Sequence, residues 1–324
     1  MTTIPGGDPD MPRSPTGVRP AVVVLALVAA CGERAPRPEP DAPPAAVPVT
    51  LEVAKNLTYG GVMEASYTLS DGKYERTPTD STPGDRVLVT LMDRLYAIHD
   101  FTGDGVDDGA FLLAANGGGS GVFTYLVGVS GRDGTPKGIY TAGLGDRTMV
   151  RSLTASDSGV TVEYVAAGAD DPACCPTQNI RQTFPMHGDT LTDVQTETLG
   201  RISPADFAGE WRLAYLDWDD PAPDSIAVTA LFEGGRVAGR AGCNRYTGPF
   251  TVKVASLDVA TGPMVSTKMA CAPPAMEVED RYLRSLGGVL RWSWVQGMLA
   301  LTYRTDGGVG TLLYRRAPAS AQGE

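Results

Sequence analysis

The feature that most narrows the folds open to this chain is a two-residue apolar rhythm, repeated in short bursts between turn-forming residues. Phe123, Tyr125, Val127 and Val129 keep a strict period of two, as do Leu290, Trp292 and Trp294, and then Leu299, Leu301 and Tyr303. Successive side chains of a strand point to opposite faces, so each burst predicts a strand with one face buried. Asp71-Gly72 between 66–69 and 73–75 predicts a hairpin over a type I′ turn, and Glu233-Gly234-Gly235 predicts another between 226–232 and 236–239. Further strands are expected within 86–98 and at 110–114, 148–153, 160–165, 180–186, 210–216, 251–254, 257–259 and 311–314. Helical signals are few. A weak one covers 51–59. A stronger one covers 273–286, opened by Pro273-Pro274 and ended by Gly287-Gly288, with Met276, Glu279, Tyr282, Leu283 and Leu286 along one face. The expected class is α+β, mostly antiparallel β.

The 324 residues suffice for two ordinary domains. The expected division is a leader at 1–30, a Pro/Ala-rich tether at 31–48, an acidic β-rich domain at 49–200 and a second domain at 205–317. Charge separates the two folded parts. Residues 49–200 carry 10 basic against 20 acidic side chains, whereas 207–318 carry 12 against 11. The acidity argues against nucleic acid as a partner of the first domain and suits either cations or plain solubility.

Near the N-terminus, ten apolar residues from Ala21 to Ala30 run into Cys31. That is far short of the ~20 residues of a membrane-spanning helix and matches the core of an export signal. Val28-Ala29-Ala30-Cys31 resembles the bacterial lipobox, whose cysteine is acylated and becomes the mature N-terminus. Asp8 and Asp10 fit such a leader poorly, so Met11 is an alternative start to Met1. The proline-rich stretch that follows would extend as a semi-stiff spacer. In lipoproteins an aspartate after the acylated cysteine retains the protein at the inner membrane. Gly32 stands there instead, so the resemblance implies the outer membrane, facing the periplasm.

Three phrases of the first domain bear on chemistry. Asp100-Phe101-Thr102-Gly103-Asp104-Gly105-Val106-Asp107-Asp108 has the spacing of an abbreviated calcium loop. Asp100, Thr102, Asp104 and Asp108 would offer side-chain oxygens, Val106 its carbonyl, and Gly105 the sharp turn. Phe111 takes the place of the bidentate glutamate that completes an EF-hand, and a metal-free Asp/Gly turn is the competing reading. Asn116 to Gly121 is glycine-rich but precedes a strand rather than a helix, which makes it a turn and not a phosphate cradle. Cys174-Cys175 is the third. Adjacent cysteines rarely bond to each other, so pairing elsewhere, free thiols and a structural role at a tight loop all stand open. His99 and His187 are the chain's two histidines, and no Gly-x-Ser-x-Gly occurs. No nucleophile–base pair is legible, and the chain reads as a binder rather than an enzyme.

The second domain carries its own signature. Gly209-Glu210-Trp211 opens it, Gly239-Arg240-Ala241-Gly242-Cys243-Asn244-Arg245-Tyr246-Thr247-Gly248 forms its central turn, and Thr267-Lys268-Met269-Ala270-Cys271 echoes that turn downstream. With these phrases the domain resembles the META/HslJ-like family of bacterial envelope domains, with Gly242, Cys243, Asn244, Met269 and Cys271 as signature positions. The resemblance implies a META-type β-roll or incomplete barrel with one helix. It also implies a stress-related or chaperone-like binding role, since the family is associated with heat shock and novobiocin tolerance. The four thiols beyond Cys31 allow three pairings. Cys243 with Cys271 is the expected crosslink, closing a loop worth ~3–4 kcal/mol of chain entropy. Function therefore reads as a non-enzymatic, lipid-anchored envelope protein with an unidentified envelope partner. Calcium-dependent ligand binding by the acidic domain is the alternative.

Overall fold

The computed structural model describes residues 44–79, 86–172 and 174–317. The expected leader and all but the end of the tether, Cys31 included, lie outside the described residues. Among those described, no helix is long and apolar enough to cross a membrane. The molecule is mostly antiparallel β, as the apolar rhythm predicts.

The first half is a sandwich. One sheet runs in the order Lys73–Arg76, Val87–Leu91, Asp108–Asn116, Phe123–Ser130 and Lys137–Asp146, with Ala97–His99 paired to the other end of Asp108–Asn116. The second sheet is built on Met149–Ser156, Gly159–Ala166, Gln178–His187 and Gln195–Arg201. Ala110, Leu112 and Leu126 of the first sheet pack against Val160, Val162, Ile180 and Phe184 of the second. Phe111, Leu113, Val127 and Val129 point the other way, onto Val49, Ala54, Tyr59 and Val62.

Alternation thus identifies the strand at 123–130 but understates its burial, because both of its faces are covered. The cover comes from 49–69. There the expected helix is a single turn, Leu51–Ala54, capped by Thr50 Oγ1, and the chain is already a strand by Thr58. The strand Ala65–Thr68 pairs with Thr58–Val62, not with Lys73–Arg76, which pairs with Val87–Leu91. Asp71 (φ 50°) and Gly72 (φ 76°) do form the left-handed turn expected of them, but a single bridge, Ser70 to Lys73, flanks it. Leu69 donates its amide to the Leu57 carbonyl (2.9 Å) and so leaves with the earlier hairpin.

The second half is a barrel. Its eight staves are Gly209–Asp217, Thr229–Glu233, Arg236–Arg240, Arg245–Lys253, Asp258–Thr261, Val289–Val295, Met298–Thr305 and Gly308–Arg316. The first pairs with the last through Trp211↔Arg316 and Leu213↔Tyr314, so the roll closes on itself. Closure leaves no edge on the ring for another chain to extend. The seam between Asp258–Thr261 and Val289–Val295 has one registered pair, Asp258↔Arg291, and the helix Pro273–Gly287 intervenes in sequence between these strands. A register shift between Leu213 and Tyr215 changes the phase of the opening strand: Trp211, Leu213 and Leu216 are buried, while Tyr215 packs with a small outer cluster. Phe232, Tyr246, Phe250, Tyr282, Trp292 and Tyr314 fill the interior.

The two halves form one compact unit. Met149, Val165, Cys175 and Ile202 of the first half belong to the same continuous core as the barrel. Two arginines fasten the joint. Arg94 lies over the rings of Tyr215 (4.4 Å) and Trp218 (4.7 Å), donates its guanidinium to the Trp218 carbonyl (2.7 Å), and donates its backbone amide to Gln296 Oε1 (2.7 Å). Arg151 donates to Asp206 (2.8 Å) and Asn179 (3.0 Å) beneath the Trp294 ring. Trp218, 40 % exposed, is therefore part of the joint rather than a free surface anchor.

Candidate functional site

The signature turn joins the staves Arg236–Arg240 and Arg245–Lys253. Gly242 has φ +95°, and a Cβ there would meet Ile226 Cγ2 at 3.0 Å and the Ala275 carbonyl at 3.2 Å. Glycine is what lets the turn lie against the helix start. At Gly239 a Cβ would fall 2.0 Å from the Thr229 carbonyl, so the neighbouring stave passes as close as backbone allows.

Cys243 is bonded to Cys271, with Cα atoms 6.1 Å apart, as the sequence reading expects. Asn244 is 1 % exposed and bonds in every direction available to it. Its side-chain oxygen accepts from the Met269 amide (2.8 Å) and the Thr267 hydroxyl (2.6 Å). Its side-chain nitrogen donates to the Met269 carbonyl and to Glu279 Oε1 (both 3.1 Å), and its backbone amide donates to Glu279 Oε2 (2.8 Å). All four amide-group sites of one asparagine are thus used, tying the turn to both the 267–269 segment and the helix. Gly242, Cys243, Asn244, Met269 and Cys271 come together as a clamp. Glu279 is the residue that sequence reasoning missed. Its visible trace is a carboxylate set within an apolar helical stripe.

Below the clamp, three buried phenols form a chain. Tyr246 donates to the Thr229 carbonyl (3.0 Å), its oxygen lies 2.7 Å from that of Tyr282, and Tyr314 donates to Tyr282 (3.1 Å). Burial holds all three hydroxyls well above the ordinary tyrosine value, so they stay neutral. They satisfy polar groups inside the barrel and leave its interior solid.

What remains accessible is the outside. Glu210, Leu231, Ala238, Thr247 and Val265 are successive register partners across four pairings, and Leu231 and Val265 are 41 % and 67 % exposed. The next row holds Thr229 and the cross-strand pair Arg240↔Arg245. Of these residues, Glu210, Thr229, Leu231, Ala238, Arg240 and Arg245 line an open cleft of about 480 Å³, and Thr247 and Val265 continue the row beyond it. Met269, held by the clamp, is 53 % exposed. An apolar row bordered by two cationic side chains suits an extended segment with apolar and acidic residues.

In the first half, the acidic loop closes largely on its own amides. Asp100 Oδ1 accepts from Gly103 (2.8 Å) and Asp104 (3.1 Å), Asp100 Oδ2 from Gly105 (2.8 Å), Asp104 Oδ1 from Val106 (2.9 Å), and Asp108 Oδ2 from Thr102 (2.9 Å). Burial works against the Asp100 charge, but the three amides hold its carboxyl below the usual range; burial pushes that of Asp108 up. Thr102 Oγ1 and Asp104 Oδ2 are buried without hydrogen-bond partners, the latter 4.0 Å from Arg132 Nε. Among the described residues, no three His, Cys, Asp or Glu side chains are grouped to hold a metal ion. The loop brings its expected residues together as a turn, and the oxygens beyond its acids are a hydroxyl and a carbonyl. Asn116 likewise braces its glycine-rich turn, donating to the carbonyls of Gly119 and Gly121 (2.9 and 2.6 Å). Contrary to the rarity of such bonds, Cys174 and Cys175 are bonded to each other.

A family model described as the META domain matches residues 205–316. No curated protein and no solved structure matches the chain. The matched span begins at the 3-10 turn Pro204–Phe207, runs through all eight staves, and contains the clamp and its helix. Residues 205–316 of this chain are thus similar to the META domain.

Proposed function

We propose that this chain is a non-enzymatic, lipid-anchored envelope protein whose META domain is a stress-related, chaperone-like binding module. Acylation at Cys31 would hold it at the outer membrane, facing the periplasm. The observation that carries the binding role is the outer face of the barrel. Leu231 and Val265 stay exposed in register beside Arg240 and Arg245, on a barrel whose interior is filled by its own aromatic side chains. A filled interior directs recognition to the surface, and a rigid apolar row with flanking cations takes an extended apolar and acidic segment of an envelope protein. Photo-crosslinkers placed at Leu231 and Val265 in the intact lipoprotein test this. Discrete adducts with envelope proteins, lost in Arg240→Glu/Arg245→Glu, are expected. Adducts equal to those from the exposed Val309 position would refute it. Fatty-acid labelling that persists in Cys31→Ala would remove the anchor.

A second reading, calcium-dependent ligand binding by the acidic half, is favoured by the buried Thr102 Oγ1 and Asp104 Oδ2, which have no hydrogen-bond partner, the latter with Arg132 4.0 Å away. Calcium supplies what such oxygens lack. A rise in melting temperature with calcium, absent in Asp104→Asn, supports that reading, and no shift at millimolar calcium ends it.

A further inference from the structure

The bond between Cys174 and Cys175 is poorly explained as a structural staple. Crosslinking residues already adjacent removes little freedom from the unfolded chain. The loop that carries it is also held by other means. Asp171, its side chain 1 % exposed, accepts from the Gly168 amide (2.9 Å), the Thr177 amide (2.7 Å) and the Thr177 hydroxyl (2.8 Å), and pairs with Arg201. The Cys175 amide donates to the Pro172 carbonyl (2.9 Å). A frame of charge-assisted bonds around a carboxylate fixes both ends of the loop without the disulfide.

The two cysteines also differ in access. Cys174 is exposed, whereas Cys175 is 2 % exposed and packs into the core that runs from Met149, Val165 and Ile202 to the barrel. Disulfide exchange requires a thiolate to approach one sulfur while the other leaves, so access decides which sulfur is attacked. Cys271 is exposed as Cys174 is, and Cys243 is 2 % exposed as Cys175 is, so access alone does not separate the two disulfides; a bond between adjacent residues has little chain entropy to hold it closed, whereas one closing a long loop across a clamp belongs to the structural class.

We propose that Cys174-Cys175 is a thiol–disulfide exchange site, attacked at Cys174 by an external dithiol. The first thiolate of the dithiol bonds to Cys174 Sγ as the Cys174–Cys175 bond breaks, and Cys175 leaves as a thiolate that takes a proton from water. The second thiol, as its thiolate, then attacks its own partner sulfur in the mixed disulfide and releases Cys174 as a thiolate, which is protonated in turn. Two electrons pass from the dithiol, which becomes a disulfide, to the protein, which becomes a dithiol. The buried Cys175 thiol cannot be the entry point, so the order of events is fixed by the fold. The same bond cycles back when a more oxidising disulfide meets the exposed Cys174 thiol.

The test is a dithiothreitol titration of the folded full chain, quenched by alkylation and read peptide by peptide. Cys174 and Cys175 are expected to label at dithiol concentrations at least tenfold below those that open Cys243–Cys271. With glutathione and acid quenching, the trapped adduct is expected on Cys174. Simultaneous opening of the two disulfides, later opening of Cys174–Cys175, free thiols there in untreated protein, or an adduct on Cys175 would each overturn the proposal. Single variants check direction separately. Cys175→Ala should take up glutathione from its disulfide at Cys174, and Cys174→Ala should not react at Cys175. Because the titration uses the unaltered chain, a variant that fails to fold leaves the test intact.

Discussion

Asn244→Ala is the substitution that most directly probes why the signature turn has its composition. The side chain is buried and makes four hydrogen bonds: to the Met269 amide and carbonyl, the Thr267 hydroxyl and Glu279. Truncation removes all four and leaves Glu279 Oε1, in a residue 4 % exposed, without the donor it has here. Four bonds at about 0.5–1.5 kcal/mol net each, with a further ~1–3 kcal/mol for the stranded carboxylate oxygen, give a loss of roughly 3–9 kcal/mol. The Cys243–Cys271 bond limits how far the 267–271 segment can retreat, so relaxation recovers little of it. Urea unfolding followed by tryptophan fluorescence reads this well, because Trp211, Trp218, Trp292 and Trp294 all lie in the META half. Hydrogen exchange should show lost protection at the Met269 amide. Asn244→Asp is the companion variant. It keeps the acceptor but sets a second carboxylate against Glu279, so its deficit should shrink as pH falls and the introduced aspartate takes a proton. A loss below ~1 kcal/mol for the alanine variant, or an aspartate variant indifferent to pH, would refute the clamp.

Three further outcomes follow from the same geometry. Under denaturing, non-reducing conditions neither Cys243 nor Cys271 should take up alkylating reagent, and replacing both by serine should cost ~3–4 kcal/mol by the chain-entropy relation. At Asp171, burial opposes the charge, but the Gly168 amide, both Thr177 groups and Arg201 outweigh it and hold the carboxyl below its ordinary range. A depressed carboxyl contributes stability above the unfolded value of ~3.9 and loses it as pH falls through the folded value. Acid unfolding should therefore be shallower in Asp171→Asn, and an unchanged acid limb would contradict that assignment. Arg151→Ala breaks the bonds to Asp206 and Asn179 at the joint and should cost about 1.5–3 kcal/mol in calorimetry, with the two halves melting less cooperatively.

The sequence by itself determined the class of structure, the site of the turn and the crosslink. Period-two alternation can be satisfied only by strands, Asp71-Gly72 and Gly234-Gly235 have the backbone freedom that tight turns demand, and the phrases around Cys243 and Cys271 carry the META resemblance. These are local properties, encoded within a few residues. Partnership is not local, and there the tertiary structure decided. Ala65–Thr68 turned back on Thr58–Val62 because Leu69 bonds to Leu57, the register shift after Leu213 moved Tyr215 out of the core, and the first stave closed the barrel on the last. Glu279 became the partner of Asn244 across 35 positions, and Arg94 reached Trp218 across 124. Cys174 is bonded to its own neighbour Cys175, a pairing the sequence had left open. A pattern read along the chain reports which faces seek burial, but what buries them depends on which distant segment arrives, and that is settled only when the whole core packs.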